Sequence, residues 1–436
     1  VLATVCLAVL LAQVDTSVVN LALRSIGLDL HATVTGLQWV LDAYNLSYAV
    51  LLLTGGLLCD LYGRRRLFIL GAAIFTGGSV LCAVAPGVPL LIAGRAVAGS
   101  GAALLLPASL AIIRVAWTED QSRNRALGIW AACNGLAFII GPALGGVLVD
   151  WFGWRSVFLI AVPLGAVAIG FALRVVAESS DPADRRFDAP GQVFGAMALA
   201  GLALTGIAGG HDRALAAVAC GVGVIALVLF LMIERRRGSA AMVPLELFRS
   251  HRFVGTLTAT SAMTFGMYGV LFLVPLVWQS GGIFAAGTAG IALTPMAGVF
   301  FVVSNASGRL VESLGARMLI SGGTAVIGVG LLVIACSVAG EPLWLAEMGL
   351  VLTGLGMGLN TGPLFGVAVA AVPAARSGSA ASLINVARMI GATLGVAILG
   401  TAFALAGAGG AGLRAAMLLG GTVQIVGGAV AWRALR

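Results

Sequence analysis

Runs of about 20 apolar residues recur from one end of this sequence to the other, the length a helix needs to cross a lipid bilayer. Fourteen such spans can be placed, from 2–23 and 38–59 through to 379–404 and 414–433. The least distinct are 190–209 and 214–233, separated only by Gly209, Gly210, His211, Asp212 and Arg213. Only 10% of the 436 residues are charged, against about 25% in an ordinary soluble domain. So few charges cannot cover the water-facing surface of a chain this long. The expected class is an all-α membrane protein.

The charges are unevenly placed. All 25 basic residues are arginine and the net charge is +8. No basic run exceeds three residues, so nucleic acid is not an expected partner. Nineteen arginines, among them Arg64, Arg65, Arg66, Arg185, Arg186, Arg376 and Arg436, fall at one set of loops and ends. Only Arg24, Arg155, Arg213 and Arg414 fall at the other set. Basic loops stay cytoplasmic during insertion, so both termini are expected on the cytoplasmic side of a cell (plasma) membrane. Arg95 and Arg388 remain, each inside a span.

The six cysteines (Cys6, Cys59, Cys82, Cys133, Cys220, Cys336) sit singly in apolar stretches, with no CxxC spacing. His31, His211 and His251 fall in expected loops. Buried small hydrophobes are expected here rather than a disulfide framework or a metal site, and no cofactor is expected. The chain opens at Val1 already inside an apolar run, as a trimmed start would. That segment has no basic flank and no A-x-A site, so it is expected to span the membrane and not to be a signal peptide.

An internal repeat divides the chain. Gly56-Leu-Leu-Cys-Asp60-Leu-Tyr-Gly63-Arg64-Arg65 is echoed by Gly308-Arg-Leu-Val-Glu312-Ser-Leu-Gly315-Ala-Arg317, at an offset of 252. Ile140-Gly141-Pro-Ala-Leu144-Gly145 is echoed by Ile390-Gly391-Ala-Thr-Leu394-Gly395, at an offset of 250. Two similar offsets argue for parallel halves. The expected organisation is a six-helix bundle over 1–176, linkers with two inserted spans over 177–252, and a second six-helix bundle over 253–436.

Four motifs carry the chemistry. In the loop after span 2, Gly56 and Gly63 allow close approach and a tight turn. Asp60 lies there within reach of Arg64 and Arg65, able to pair in one conformation and not in another. Asp15 stands deep in span 1, in Gln13-Val-Asp15-Thr16-Ser17-Val18-Val19-Asn20, where a carboxylate costs about 2.5–3.5 kcal/mol even on insertion scales. Such a group suits proton uptake and release. Arg95 must face the bundle interior and meet a carboxylate or carbonyls, with Asp15 the candidate partner. Span 5 carries Gly135, Gly141, Pro142, Gly145 and Gly146, small residues and a bend for tight packing. Asp42, near the outer end of span 2, reads equally as a substrate contact or a hydrated interfacial acid. Asn20, Asn385 and Arg388 are further candidates for a central cavity. Aromatic and methionine residues such as Phe138, Met263, Phe265 and Phe300 suit an adaptable apolar wall, though lipid-facing or packing positions account for most of them.

These motifs resemble those of the major facilitator superfamily. The Gly56–Arg65 loop is similar to its G-x-L-a-D-r-x-G-r-k signature, with Cys59 for the small residue and Leu61 for a usual base. The Asp15 run resembles l-D-x-T-v-v-N-v-A-L-P in the first helix of the fourteen-helix drug:proton antiporter branch, with Arg24 in place of proline. Arg95-Ala-Val-Ala98-Gly99 resembles R-x-x-Q-G in the fourth helix, with Ala98 in place of glutamine. Gly135 to Gly146 resembles the antiporter signature G-x(5)-G-P-x-x-G-G. The resemblance implies a major-facilitator-type fold of two six-helix halves plus two inserted helices. It also implies a proton-coupled exporter of amphipathic drugs or antibiotics working by alternating access, with protons, small amphipathic substrates and the bilayer as partners. A monomer is expected to suffice. Export of another solute (an amino acid, siderophore or lipid) stays open as the alternative. No HExxH or Walker sequence is present, and enzyme activity is not expected.

Overall fold

The computed structural model describes residues 1–180, 188–210, 212–238, 241, 243–337, 343–372 and 377–436. His211, Arg185, Arg186 and Arg376 lie outside them. Among the described residues the regular elements are all helical: α1 (Leu2–Asp29), α2 (Val34–Tyr62), α3 (Arg64–Ala83), α4 (Val88–Ala116), α5 (Asp120–Phe152), α6 (Ser156–Leu159), α7 (Ala161–Val175), α8 (Ala189–Ala208), α9 (Arg213–Arg237), α10 (His251–Ser280), α11 (Ala286–Ala292), α12 (Thr294–Leu314), α13 (Ala316–Cys336), α14 (Leu343–Ala370), α15 (Ser377–Leu394), α16 (Gly400–Leu405) and α17 (Gly409–Ala434). Among these residues, thirteen helices are long and apolar enough to cross a membrane. A fourteenth is α2, whose arms Val34–Leu52 and Thr54–Tyr62 meet at a 52° bend. Three expected spans are interrupted: span 6 divides into α6 and α7, span 10 into α11 and α12, and span 13 passes through a π-helical turn at Gly395–Leu399 into α16.

Helix starts are written in short polar residues. Thr33 accepts from the Gly36 amide at α2, Asp212 from Leu215 at α9, and Ser250 from Phe253 at α10. Each satisfies an amide that has no partner in its own helix. His251 is thus the first residue of a helix and not a loop residue.

The chain forms two compact units, residues 1–192 with 285–291 and residues 193–284 with 292–436. In the first, α3 packs on α4 and α7, α2 on α4, and α1 on α4, α5 and α7. In the second, α13 packs on α14 and α17, α12 on α14, and α10 on α14, α15 and α17. The same pairings recur in the same order, so the sequence repeat is a repeat of packing. The two loop glycines repeat as well: Gly63 has φ 105° and Gly315 φ 79°, a region open to glycine without a Cβ penalty.

A second repeat, not noticed in the sequence, brings helix backbones together. Gly71 and Gly78 on α3 face Gly94 and Gly101 on α4, while Gly323 and Gly330 on α13 face Gly349 and Gly356 on α14. Each pair is two helical turns apart, so both glycines lie on one helix face. A Cβ on Gly78 would lie 2.8 Å from the Gly94 carbonyl oxygen, and one on Gly330 2.6 Å from that of Gly349. Attraction between helices in lipid comes from such close packing.

The cysteines follow the expectation in part. Cys6, Cys59 and Cys82 are buried, Cys133 is half-buried, and Cys220 and Cys336 are exposed on their helices. The departure has a physical reason. In an apolar span, a position away from the protein meets lipid, which suits a thiol as well as a core does.

The glycine faces are testable. Gly78→Leu and Gly330→Leu should each cost about 1–3 kcal/mol of overpacking. Gly77→Leu, at an exposed position with no atom within 4 Å of an added Cβ, should leave the thermal unfolding temperature in detergent unchanged.

Candidate functional site

The first unit holds a buried ion pair. Asp15 on α1 and Arg95 on α4 are 5% and 2% exposed, and Arg95 Nη1 donates to Asp15 Oδ2 at 2.6 Å. The rest of the guanidinium is also engaged. Its Nε donates to the Val40 carbonyl oxygen of α2 at 3.1 Å, and its carbon lies 4.4 Å from the centre of the Tyr44 ring. Three helices therefore converge on one cation. Asp15 Oδ1 is buried and has no hydrogen-bond partner among the described residues. That leaves one carboxylate oxygen available to a proton while the other holds the arginine. A lipid-facing, snorkelling Arg95 does not fit this geometry.

Asn20, one turn and more beyond Asp15, is buried and donates to the Thr16 carbonyl oxygen of its own helix at 2.9 Å. Asp42 on α2 is fully buried, which removes the reading of a hydrated interfacial acid. Neither Asp42 carboxylate oxygen has a hydrogen-bond partner among the described residues. Among the described residues no hydrogen bond joins Asp42 to the Asp15–Arg95 pair. In the second unit, Asn385 donates to the Ala381 carbonyl oxygen at 3.1 Å, and Arg388 Nε is buried without a partner among the described residues. α10 packs on α15 as α1 packs on α5, with Thr264 and Phe265 against Gly391 and Gly395 where Ser17 and Val18 lie against Gly141 and Gly145, and none of Ala262, Met263, Thr264 and Phe265 ionises.

The span 5 glycines serve two faces of α5. Gly141 and Gly145 meet Ser17 and Val18 of α1, one turn from Asp15. Pro142 and Gly146 meet residues 286–290, where Gly290 lies against the Pro142 carbonyl and Gly146 against Gly287. Residues four apart share a helix face, which is why the motif splits into these two sets. Gly135 is half-buried on the same helix. Asp150 Oδ2 then accepts from the Gly287 amide at 2.7 Å.

At the α2–α3 turn, Asp60 pairs with Arg64 Nη2 at 3.1 Å, so the next turn supplies the base that Leu61 does not. Gly56 faces Pro107 of α4. The start of α3 has no acidic residue in its first turn. Glu178 fills the gap from the far end of α7. It accepts from the Arg65 and Arg66 amides at 3.1 and 3.2 Å, and its Oε2 lies 3.9 and 3.7 Å from their Nε atoms. An anion there satisfies free amides and meets the positive helix end. Sequence reading missed Glu178. The signal was three arginines opening a helix with no acid among them, but it did not say which distant acid would answer.

A family model described as Major Facilitator Superfamily matches residues 5–396, a range that contains every residue of this site. The chain belongs to the major facilitator superfamily. "Multidrug resistance protein Stp" of Mycobacterium tuberculosis is 35% identical over 383 residues, covering 87% of this chain and 71% of that protein. "Methylenomycin A resistance protein" of Bacillus subtilis is 33% identical over 396 residues, covering 90% and 84%. A solved structure of a peptide transporter POT in complex with sulfate has a TM-score of 0.74 at 14% identity, over 99% of this chain and 93% of that one. That likeness shows the fold. This major facilitator protein has thirteen helices, or fourteen with the bent α2, that are long and apolar enough to cross a membrane among its described residues.

The ion pair predicts a non-additive mutant cycle. Arg95→Ala leaves an uncompensated buried carboxylate and should cost about 3–5 kcal/mol. Asp15→Ala with Arg95→Ala should cost less than Arg95→Ala alone, read by thermal unfolding in detergent.

Proposed function

We propose that this chain is a proton-coupled exporter of amphipathic drugs or antibiotics, working by alternating access in the plasma membrane. The observation that carries the reading is Asp15, a membrane-buried carboxylate with one oxygen on Arg95 and the other unpartnered among the described residues. With the proton absent, the ion pair ties α1 to α4, and through Arg95 to α2. Protonation of Asp15 cancels its charge, weakens that tie and leaves the guanidinium to its Val40 and Tyr44 contacts. A proton entering from outside and leaving inward thereby alternates two packings of the same helices. Each proton supplies about 2.3 kcal/mol per 100 mV of membrane potential and about 1.4 kcal/mol per pH unit. One or two protons suffice for a tenfold substrate gradient.

The substrate class rests on the relatives, named for multidrug and methylenomycin A resistance. Asp42, Asn20, Asn385 and Arg388 are the polar groups proposed to meet substrate, among apolar walls that include Met263 and Phe265. Residues 1–176 and 253–436 act as the two six-helix bundles, with 177–252 inserted. Both termini lie in the cytoplasm, a reading that the arginine distribution supports, and one chain suffices for transport.

In everted vesicles or proteoliposomes with an imposed pH gradient, wild-type protein should accumulate ethidium. Asp15→Asn should lower the gradient-driven rate at least tenfold. Equal rates would remove Asp15 from proton coupling, and no movement of any amphipathic compound by wild type would remove the drug-export reading.

A further inference from the structure

Within the first unit, Gln192 anchors the start of the inserted segment at the bend of α2. Asp188 caps α8: its Oδ1 accepts from the Gly191 amide at 2.8 Å, and its carbonyl oxygen from the Gln192 amide at 2.9 Å. This places Gln192 in the first turn of a helix whose start is held, with 8% of its surface exposed. Its side-chain amide donates to the Val50 carbonyl oxygen, and its side-chain oxygen accepts from the Thr54 hydroxyl. Val50 and Thr54 are four apart, so the Val50 carbonyl is the one the helix ladder would assign to the Thr54 amide. The bend lies between them.

Sharp kinks arise at proline, at glycine or serine pairs, at π-bulges, or where a side chain enters the hydrogen-bond ladder. α2 contains no proline. Gly55 and Gly56 follow the bend and soften it, but softness alone sets no angle. A carboxamide offers a donor and an acceptor together, which matches the carbonyl and hydroxyl that Gln192 meets. In lipid these groups have no water to turn to.

The two arms of α2 touch different parts of the site. The Val34–Leu52 arm carries Val40 and Tyr44, the carbonyl and ring on which Arg95 rests. The Thr54–Tyr62 arm carries Asp60 and ends at Gly63, the turn that Arg64 and Glu178 brace. The angle at the bend is therefore the angle between the ion-pair site and the cytoplasmic turn.

We propose that Gln192 is a positioning residue for transport, which holds α2 bent and thereby links the buried ion pair to the cytoplasmic turn. The start of the inserted segment, up to Gln192, is then a working part of the first unit and not a spacer. The link to rate rests on the export reading above, whereas the bend itself does not.

Spin labels at Thr35→Cys and Tyr62→Cys, on a cysteine-free background in proteoliposomes, measure the bend directly. Relaxing a 52° bend should lengthen this distance by about 3–4 Å at 1.5 Å per residue. Gln192→Leu and Thr54→Val should each lengthen or broaden it. Each should also lower the maximal ethidium efflux rate at least fivefold with KM within twofold, and the double variant should be no worse than the poorer single one. Val193→Ala, at an exposed neighbour, should change neither. An unchanged distance in both single variants overturns the proposal, and so does a changed distance with wild-type efflux. A wild type that moves no amphipathic compound fails the export reading instead, and the distances still decide the bend.

Discussion

An arginine inside a spanning helix has to find all its partners within the protein, and Arg95 organises its unit for that reason. The guanidinium takes a carboxylate from α1 and a carbonyl from α2, and rests on a ring of α2. Losing any of these leaves a cation in a medium that cannot solvate it. The same interaction that fixes three helices is the one a proton can cancel. Under the proposed function, structure and energy coupling rest on one contact, and Asp15 Oδ1, buried without a partner among the described residues, is its open side.

Around that polar contact the architecture is built from absences of side chain. Glycine faces on α3 and α4, and again on α13 and α14, let backbones meet where a single Cβ would collide. α5 uses the same device on two sides, against α1 and against residues 286–290. Yet the two halves are not chemically alike. Their helices pair in the same order, while none of Ala262, Met263, Thr264 and Phe265 in the second half ionises as Asp15 does in the first. The repeat duplicates packing and not this ion pair, so the proposed proton chemistry belongs to the first half.

The parts of the molecule legible in the sequence were those set by local rules. Hydropathy marks a spanning helix because lipid forces each span to satisfy its own backbone. Glycine at 63 and 315 announces a turn, since it costs glycine little to adopt a positive φ. Asp15 and Arg95 were legible as a pair because two buried opposite charges have few alternatives. Asp42 was not: its position near a span end suggested hydration, and the packing of its neighbours removed it.

Span number, the arginine asymmetry, the two-half repeat and the intramembrane charges are thus determined by the sequence alone, each through the energy of a residue in water or lipid. Only the tertiary structure decided which distant residue answers a local deficit. Glu178 completes the start of α3, Arg64 takes Asp60, and Gln192 occupies the bend of α2. Several acids and amides lie in the same stretches of chain and are equivalent in composition. What separates them is a hydrogen-bond geometry a few ångströms wide, which exists only after the helices have packed.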